Sequence, residues 1–323
     1  MQITTEEVAG CTQIRSWHET PPHRNSGALQ GFFGLVNCAR LYILPAFLQV
    51  RGTKLAMANA QASLARTSFG RTSRRDRWWA TPLLVFVVLT SFVIYATWAA
   101  FQGNHYTFGP YISPFYSPEL FGDSAHSWFG PKPDWWPSWL VFSPALLILP
   151  FPAAFRLTCY YYRGAYYKAF WADPPSCTVG EPRKTYRGEL SLPLVLQNVH
   201  RVFLYIAFVF LVILARDVWE GMWFVNPATG QTQFGIGVGT LVLAANTTLL
   251  GGYTFGCHSL RHLIGGYLDQ LSTAPVRRRA YECVSCFNQR HMAWAWCSLV
   301  GVAFADLYVR LCSMGIWSDW RII

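Results

Sequence analysis

The chain is 323 residues long, 52% hydrophobic, 17% aromatic and only 13% charged, with a mean hydropathy of +0.21, which excludes an ordinary soluble domain and points to an integral membrane protein. Its formal charge of +10 does not mark a nucleic-acid binder, because the basic residues gather between apolar runs, as the positive-inside rule describes, rather than on one soluble face. The nine cysteines lie partly in or beside apolar runs at spacings that do not repeat, so they read as thiols or metal ligands and not as a disulfide framework.

Residues 1–76 begin polar and then hold an apolar run at 31–50, broken by Arg40 and Pro45. No charged start leads into a short apolar core there, so the run reads as an interfacial amphipathic extension and not as a signal peptide. His18, His23, Cys11 and Cys38 receive no role. Arg71, Arg74, Arg75 and Arg77, with Trp78 and Trp79, form a basic and aromatic collar ahead of a first span at 82–101, which puts this end in the cytoplasm. Residues 102–137 carry Glu119, Asp123 and Asp134 against a lone Lys132, as an outer loop should.

A second span at 139–158 contains Pro144, Pro150 and Pro152, which predict a kink or local unwinding near its inner end. It runs into an aromatic and basic interfacial segment, 159–171, and then a turn at Asp173-Pro-Pro-Ser-Cys177, with Arg183, Lys184 and Arg187 marking a cytoplasmic loop. The third span, 194–215, opens on Gln197, Asn198, His200 and Arg201, polar groups whose burial in a membrane needs partners. Asp217 and Glu220 put the next loop outside. The fourth span, 234–256, is rich in small residues that let helices approach closely, and Arg261, Arg277, Arg278, Arg279 and Arg290 return the chain to the cytoplasm. A fifth span, 291–312, carries Asp306 and Arg310 at i,i+4, an ion pair expected near the outer surface. The predicted architecture is an all-α integral membrane bundle of five transmembrane helices over residues 77–323, amino terminus inside and carboxyl terminus outside.

The densest group of candidate ligands is Tyr253-Thr-Phe-Gly-Cys257-His258-Ser-Leu-Arg261-His262. If the preceding helix continues, His258 and His262 share one face a turn apart and can converge on a metal. Cys159, Cys177, His200, Cys257, His258, His262 and His291 come from separate segments, yet all fall at the cytoplasmic ends of the predicted spans. Histidines that merely meet lipid headgroups would not segregate in this way. Two redox chemistries suit the set. A bis-histidine haem would draw on His200, His258, His262 and His291; a Rieske-type iron-sulfur centre needs two cysteines and two histidines, from Cys159, Cys177 or Cys257 with two of those histidines. The usual Rieske motif spacing is absent. Cys283-Val-Ser-Cys286 with His291 has a spacing that suits zinc, although a Cys-x-x-Cys without a second pair is weak evidence. A transporter, whose intramembrane His, Arg and Asp residues would line an ion path, would often show internal repeats, and none is seen.

On Thr158-Cys-Tyr-Tyr-Tyr-Arg163, Asp173-Pro-Pro-Ser-Cys177, Asn198-Val-His-Arg201, Phe255-Gly-Cys-His-Ser-Leu-Arg-His262 and Asn288-Gln-Arg-His291, the chain resembles the membrane anchor subunits of succinate dehydrogenase (succinate:quinone oxidoreductase), in particular the single-chain, five-helix actinobacterial type. The resemblance covers about residues 78–321. It implies a multi-pass subunit of the plasma membrane that docks a flavoprotein and an iron-sulfur subunit on its cytoplasmic face and passes electrons to menaquinone or ubiquinone. One branch of that family looks to hold a Rieske-type [2Fe-2S] centre where others hold haem b, and the shared cysteines put this chain nearer that branch. The ligand set expected on this footing is Cys159 and Cys177 on one iron, His258 and His262 on the other. On a continuous helix Cys257 is rotated by about 100° from His258, and it is the alternative to Cys177. His200 or His291 is the alternative to His262. Quinone contacts are expected from His200, Arg201, Tyr205 and His291, and subunit docking from the segment 160–171 together with Arg277, Arg278 and Arg279. Cys283 and Cys286 lie outside the pattern.

Overall fold

The structure is a computed structural model, and it describes residues 69–172, 174–182, 194–226, 229–268 and 270–323. The interfacial run at 31–50 and the basic residues Arg183, Lys184 and Arg187 lie outside the described residues. The chain divides into two units, Met1–Pro82 with Tyr167–Tyr186, and Leu83–Tyr166 with Arg187–Ile323.

In the first unit the basic collar pairs with the chain around Cys177. The Gly70 amide donates to the Gly180 carbonyl at 3.0 Å and the Gly180 amide returns to the Arg71 carbonyl at 2.9 Å. Arg74 donates to Ser176 Oγ at 3.0 Å and the Cys177 carbonyl at 3.1 Å, and forms an ion pair with Asp76. That guanidinium holds the exposed Asp76 carboxyl below its ordinary range.

The second unit is mostly helical. Among the described residues three helices are long and apolar enough to cross a membrane: α1 (Ala80–Gln102), α5 (His200–Glu220) and α9 (His291–Ser313). At ~1.5 Å per residue each reaches the ~30 Å of a hydrocarbon core. The second predicted span is two short helices, α2 (Pro144–Ile148) and α3 (Pro150–Leu157), followed by α4 (Tyr160–Tyr166). The break follows from Pro150, which has no amide hydrogen to donate, while Leu149 still donates to the Ala145 carbonyl and accepts from the Ala153 amide.

The fourth predicted span is shorter than its apolar run. Phe234 belongs to a two-stranded hairpin, β3 (Trp223–Val225) with β4 (Thr232–Phe234), in which Trp223 pairs with Phe234 and Val225 with Thr232. Helix α6 (Val238–Phe255) starts only where Asp319 can cap it, its Oδ1 accepting from the Gly239 amide at 2.8 Å. A smaller hairpin, β1 (Thr107–Phe108) with β2 (Tyr111–Ile112), shapes the loop after α1. α6 packs between α5 and α9, and small residues permit the approach. A Cβ on Gly252 would stand 2.5 Å from the Trp294 ring, and one on Gly301 2.9 Å from Leu249. Helix α7 (His258–Gly265) and helix α8 (Pro275–Gln289) complete the fold.

The Asp306–Arg310 pair forms as predicted and is buried, the two side chains being 0% and 1% exposed. Residues 103–113 of the loop after α1 supply the cover, which hydropathy along α9 does not report. Asp306 accepts from Tyr95 Oη at 2.6 Å and from the Ser113 hydroxyl, and Arg310 donates to the Asn104 carbonyl at 3.0 Å.

Candidate redox centre

Four donors from four segments meet at helix junctions. Cys159 occupies the joint between α3 and α4, and His200 opens α5. Cys257 occupies the joint between α6 and α7 with extended backbone, and His291 opens α9. Joints of this kind direct side chains inward from several helices at once. The joint before Cys257 depends on Gly256, where a Cβ would meet the Gly252 carbonyl at 2.8 Å, the Phe287 carbonyl at 3.0 Å and His291 Nδ1 at 3.3 Å. The Gly256 carbonyl in turn accepts from Asn288 Nδ2 at 2.8 Å. The helix therefore does not continue from 253 through 262, and the rotation of α6 does not set the direction of Cys257. Cys257 is 1% exposed, inside the core, while His258 and His262 are exposed on α7.

The donors form two cysteine–histidine pairs. His200 Nε2 lies 3.1 Å from Cys257 Sγ, and His291 Nε2 lies 3.5 Å from Cys159 Sγ. Cys159 and Cys257 belong to one apolar cluster with Phe155, Tyr162, Leu204, Tyr253 and Ala295. Each imidazole is clamped by an aromatic face: His200 stacks on Phe155 at 4.7 Å and His291 on Tyr253 at 5.0 Å. The Thr158 hydroxyl donates to the Ala154 carbonyl at 2.7 Å and lies 2.9 Å from His200 Nδ1, so it accepts from Nδ1–H and leaves Nε2 as the lone pair facing Cys257. Burial raises the Cys159 thiol above its ordinary range, outweighing the lowering effect of the nearby Arg156 charge, and pushes the Cys257 thiol up to about 11, so both are protonated.

The cluster is not fully satisfied. His291 Nδ1, Tyr253 Oη and Trp294 Nε1 are buried without a hydrogen-bond partner. Arg156 reaches in from α3, donating to Tyr162 Oη at 2.9 Å, Ser298 Oγ at 2.9 Å and the Ala295 carbonyl at 3.2 Å, with its guanidinium 4.7 Å above the Tyr253 ring. The sequence reading singled out neither Arg156 nor Tyr253. An arginine within a predicted span was a visible signal, since a charge at that depth needs partners; Tyr253 gave none that separates it from its aromatic neighbours.

The remaining predicted residues are not among these four donors. His258 and His262 meet each other, Nε2 to Nε2 at 2.9 Å, and burial followed by the nearby His262 and Arg261 lowers the pKa of His258. Cys177 belongs to the other unit and is disulfide-bonded. Arg201 and Tyr205 are exposed on α5, Tyr205 by 50%. Among the described residues no three His, Cys, Asp or Glu side chains are arranged around a single metal ion. The paired donor set, two sulfurs and two imidazole nitrogens beside an unpartnered buried Nδ1, has the composition that a Rieske-type centre requires.

Residues 80–315 match the family described as actinobacterial succinate dehydrogenase subunit SdhC. The chain belongs to this family. It is also similar to a chain of the Mycobacterium smegmatis Sdh1 complex in the apo form, at 42% sequence identity and a TM-score of 0.71, covering 80% of this chain and 96% of that one. No curated protein matches. As a member of the SdhC family the chain is a membrane anchor subunit of a succinate dehydrogenase complex, located in the plasma membrane, with a flavoprotein subunit, an iron-sulfur subunit and quinone as its partners.

Proposed function

We propose that this anchor is a five-span, N-in/C-out subunit that receives electrons from the docked iron-sulfur subunit at its cytoplasmic end and delivers them to membrane quinone through a Rieske-type [2Fe-2S] centre. The observation that carries this reading is the convergence of Cys159, His200, Cys257 and His291 as two buried cysteine–histidine pairs. Within it those four residues hold the centre, in preference to the set Cys159, Cys177, His258 and His262 suggested by spacing. Such a centre supplies one-electron transfer at a potential raised by its two neutral imidazole ligands.

The chain's own residues prepare the site. Thr158 holds the His200 tautomer whose Nε2 lone pair points inward, the role an outer partner plays for a ligating histidine. Phe155 stacks on His200 and Tyr253 on His291, so each imidazole has an aromatic ring against one face. Arg156 sets a positive charge beside the cluster and, through Ser298 and the Ala295 carbonyl, ties α3 to α9. With His200 and His291 assigned to the centre, Arg201 and Tyr205, exposed on α5, are left to meet quinone arriving from the lipid.

Electron paramagnetic resonance of the reduced, assembled complex tests the reading. A Rieske-like signal should vanish in Cys159→Ser, Cys257→Ser, His200→Ala and His291→Ala. Its survival in any one of them removes that residue from the set, and a low-spin haem signal in the parent overturns the assignment altogether. In the same preparations Arg201→Gln should slow quinone reduction while succinate oxidation by a soluble artificial acceptor continues; parallel loss of both would detach Arg201 from the quinone site.

A further inference from the structure

Beside the buried cluster, α7 presents a second imidazole pair that the redox reading leaves unused. The His258 and His262 rings meet edge to face, 4.4 Å between centroids, with their Nε2 atoms 2.9 Å apart. Both side chains are exposed. We propose that His258 and His262 form a bidentate surface site for a single borderline divalent cation of the zinc type, distinct from the buried centre.

Two nitrogens each about 2.0–2.1 Å from one zinc ion stand roughly 3.0–3.4 Å apart, depending on the angle at the metal. The observed separation lies just short of that bite, so a cation can enter with small rotations of either ring. One turn of α-helix sets the spacing, as in other metal sites built on histidines at i and i+4. Without a metal the contact is one N–H donor facing one lone pair. With a metal the donating ring moves its proton from Nε2 to Nδ1, both Nε2 lone pairs bind, no net proton is released, and water fills the remaining positions.

The intervening cation is held elsewhere. Arg261 Nε donates to Ser285 Oγ on α8 at 3.1 Å, and its guanidinium covers the Tyr281 ring at 4.9 Å. It stays within electrostatic range of His258 and repels an incoming cation, so the affinity belongs in the micromolar range and not with structural zinc. His258 also acts electrostatically on His291, so a cation here would add positive charge beside the buried pairs.

Zinc binding to the assembled complex, measured by equilibrium dialysis, tests the site. The exposed thiols Cys283 and Cys286 would compete for zinc, so the parent for the comparison carries Cys283→Ser and Cys286→Ser. His258→Gln and His262→Gln should each remove one micromolar zinc per anchor or weaken it at least about tenfold, with the melting temperature unchanged because both residues are exposed. Unchanged zinc affinity and stoichiometry in both variants would overturn the site. The resonance signal of the centre should persist in both; its loss in either would make that histidine a ligand of the centre and would also overturn the proposal. Absence of that signal in the parent bears only on the redox reading and leaves the zinc result to be judged by itself.

Discussion

The two ends of α9 bury polar groups in opposite ways. Toward its carboxyl end every charged group is answered: Asp306 accepts from Tyr95, Ser113 and Arg310, and Arg310 donates to Asp306 and the Asn104 carbonyl and lies 5.2 Å from the centre of the Trp98 ring. At its amino end His291 Nδ1, Trp294 Nε1 and the facing Tyr253 hydroxyl have no hydrogen-bond partner. A leftover buried polar atom costs about 1–3 kcal/mol, so a fold that satisfies one end completely and leaves three such atoms at the other is held together at the first and keeps binding capacity at the second.

Asp306→Ala leaves Arg310 buried without a counter-charge and should cost about 3–5 kcal/mol. Thermal unfolding of the detergent-solubilised complex would show it, and replacing both members of the pair with apolar residues of similar volume should recover much of the loss. If the single variant melts like the parent, the carboxyl end of α9 is not the structural one. Gly252→Ala is smaller. Its Cβ falls 2.5 Å from the Trp294 ring, and the overpacking should cost about 1–3 kcal/mol. Because Trp294 stands one turn from His291, the variant should also alter the line shape of the resonance signal expected of the proposed centre, a change the parent melted by the same amount in denaturant would not show. Tyr253→Phe should be the mildest. It deletes a buried hydroxyl that has no hydrogen bond and keeps the ring stacked on His291, so stability should hold or rise, by up to about 1 kcal/mol. A loss of 2 kcal/mol or more by the same melting assay, on the order of a full buried hydrogen bond, would mean that the hydroxyl is engaged after all.

Much of the architecture was legible because transfer between water and lipid acts on local stretches of chain. The apolar runs behind α1, α5 and α9, the proline break at Pro150 and the small-residue face of α6 each announce themselves within a few residues. The neighbourhood of the buried pairs was legible for a related reason, since the histidines in or beside the last three spans all fall at one end of them. The shortening of α6 was not, because the hairpin that claims Phe234 and the Asp319 cap depend on residues about ten to eighty positions away.

By itself, then, the amino-acid order determined a membrane bundle, its family and the helix ends at which the buried cysteine–histidine pairs form. Which cysteine meets which histidine was decided only in three dimensions. Each residue along a helix turns by about 100°, and a single joint at Gly256 resets that count, so two adjacent residues part company. Cys257 enters the core against His200, while His258 faces outward to His262. The burial of Asp306 and Arg310 was decided in the same way, by the distant Ser113 and Asn104 and not by the helix that carries the pair.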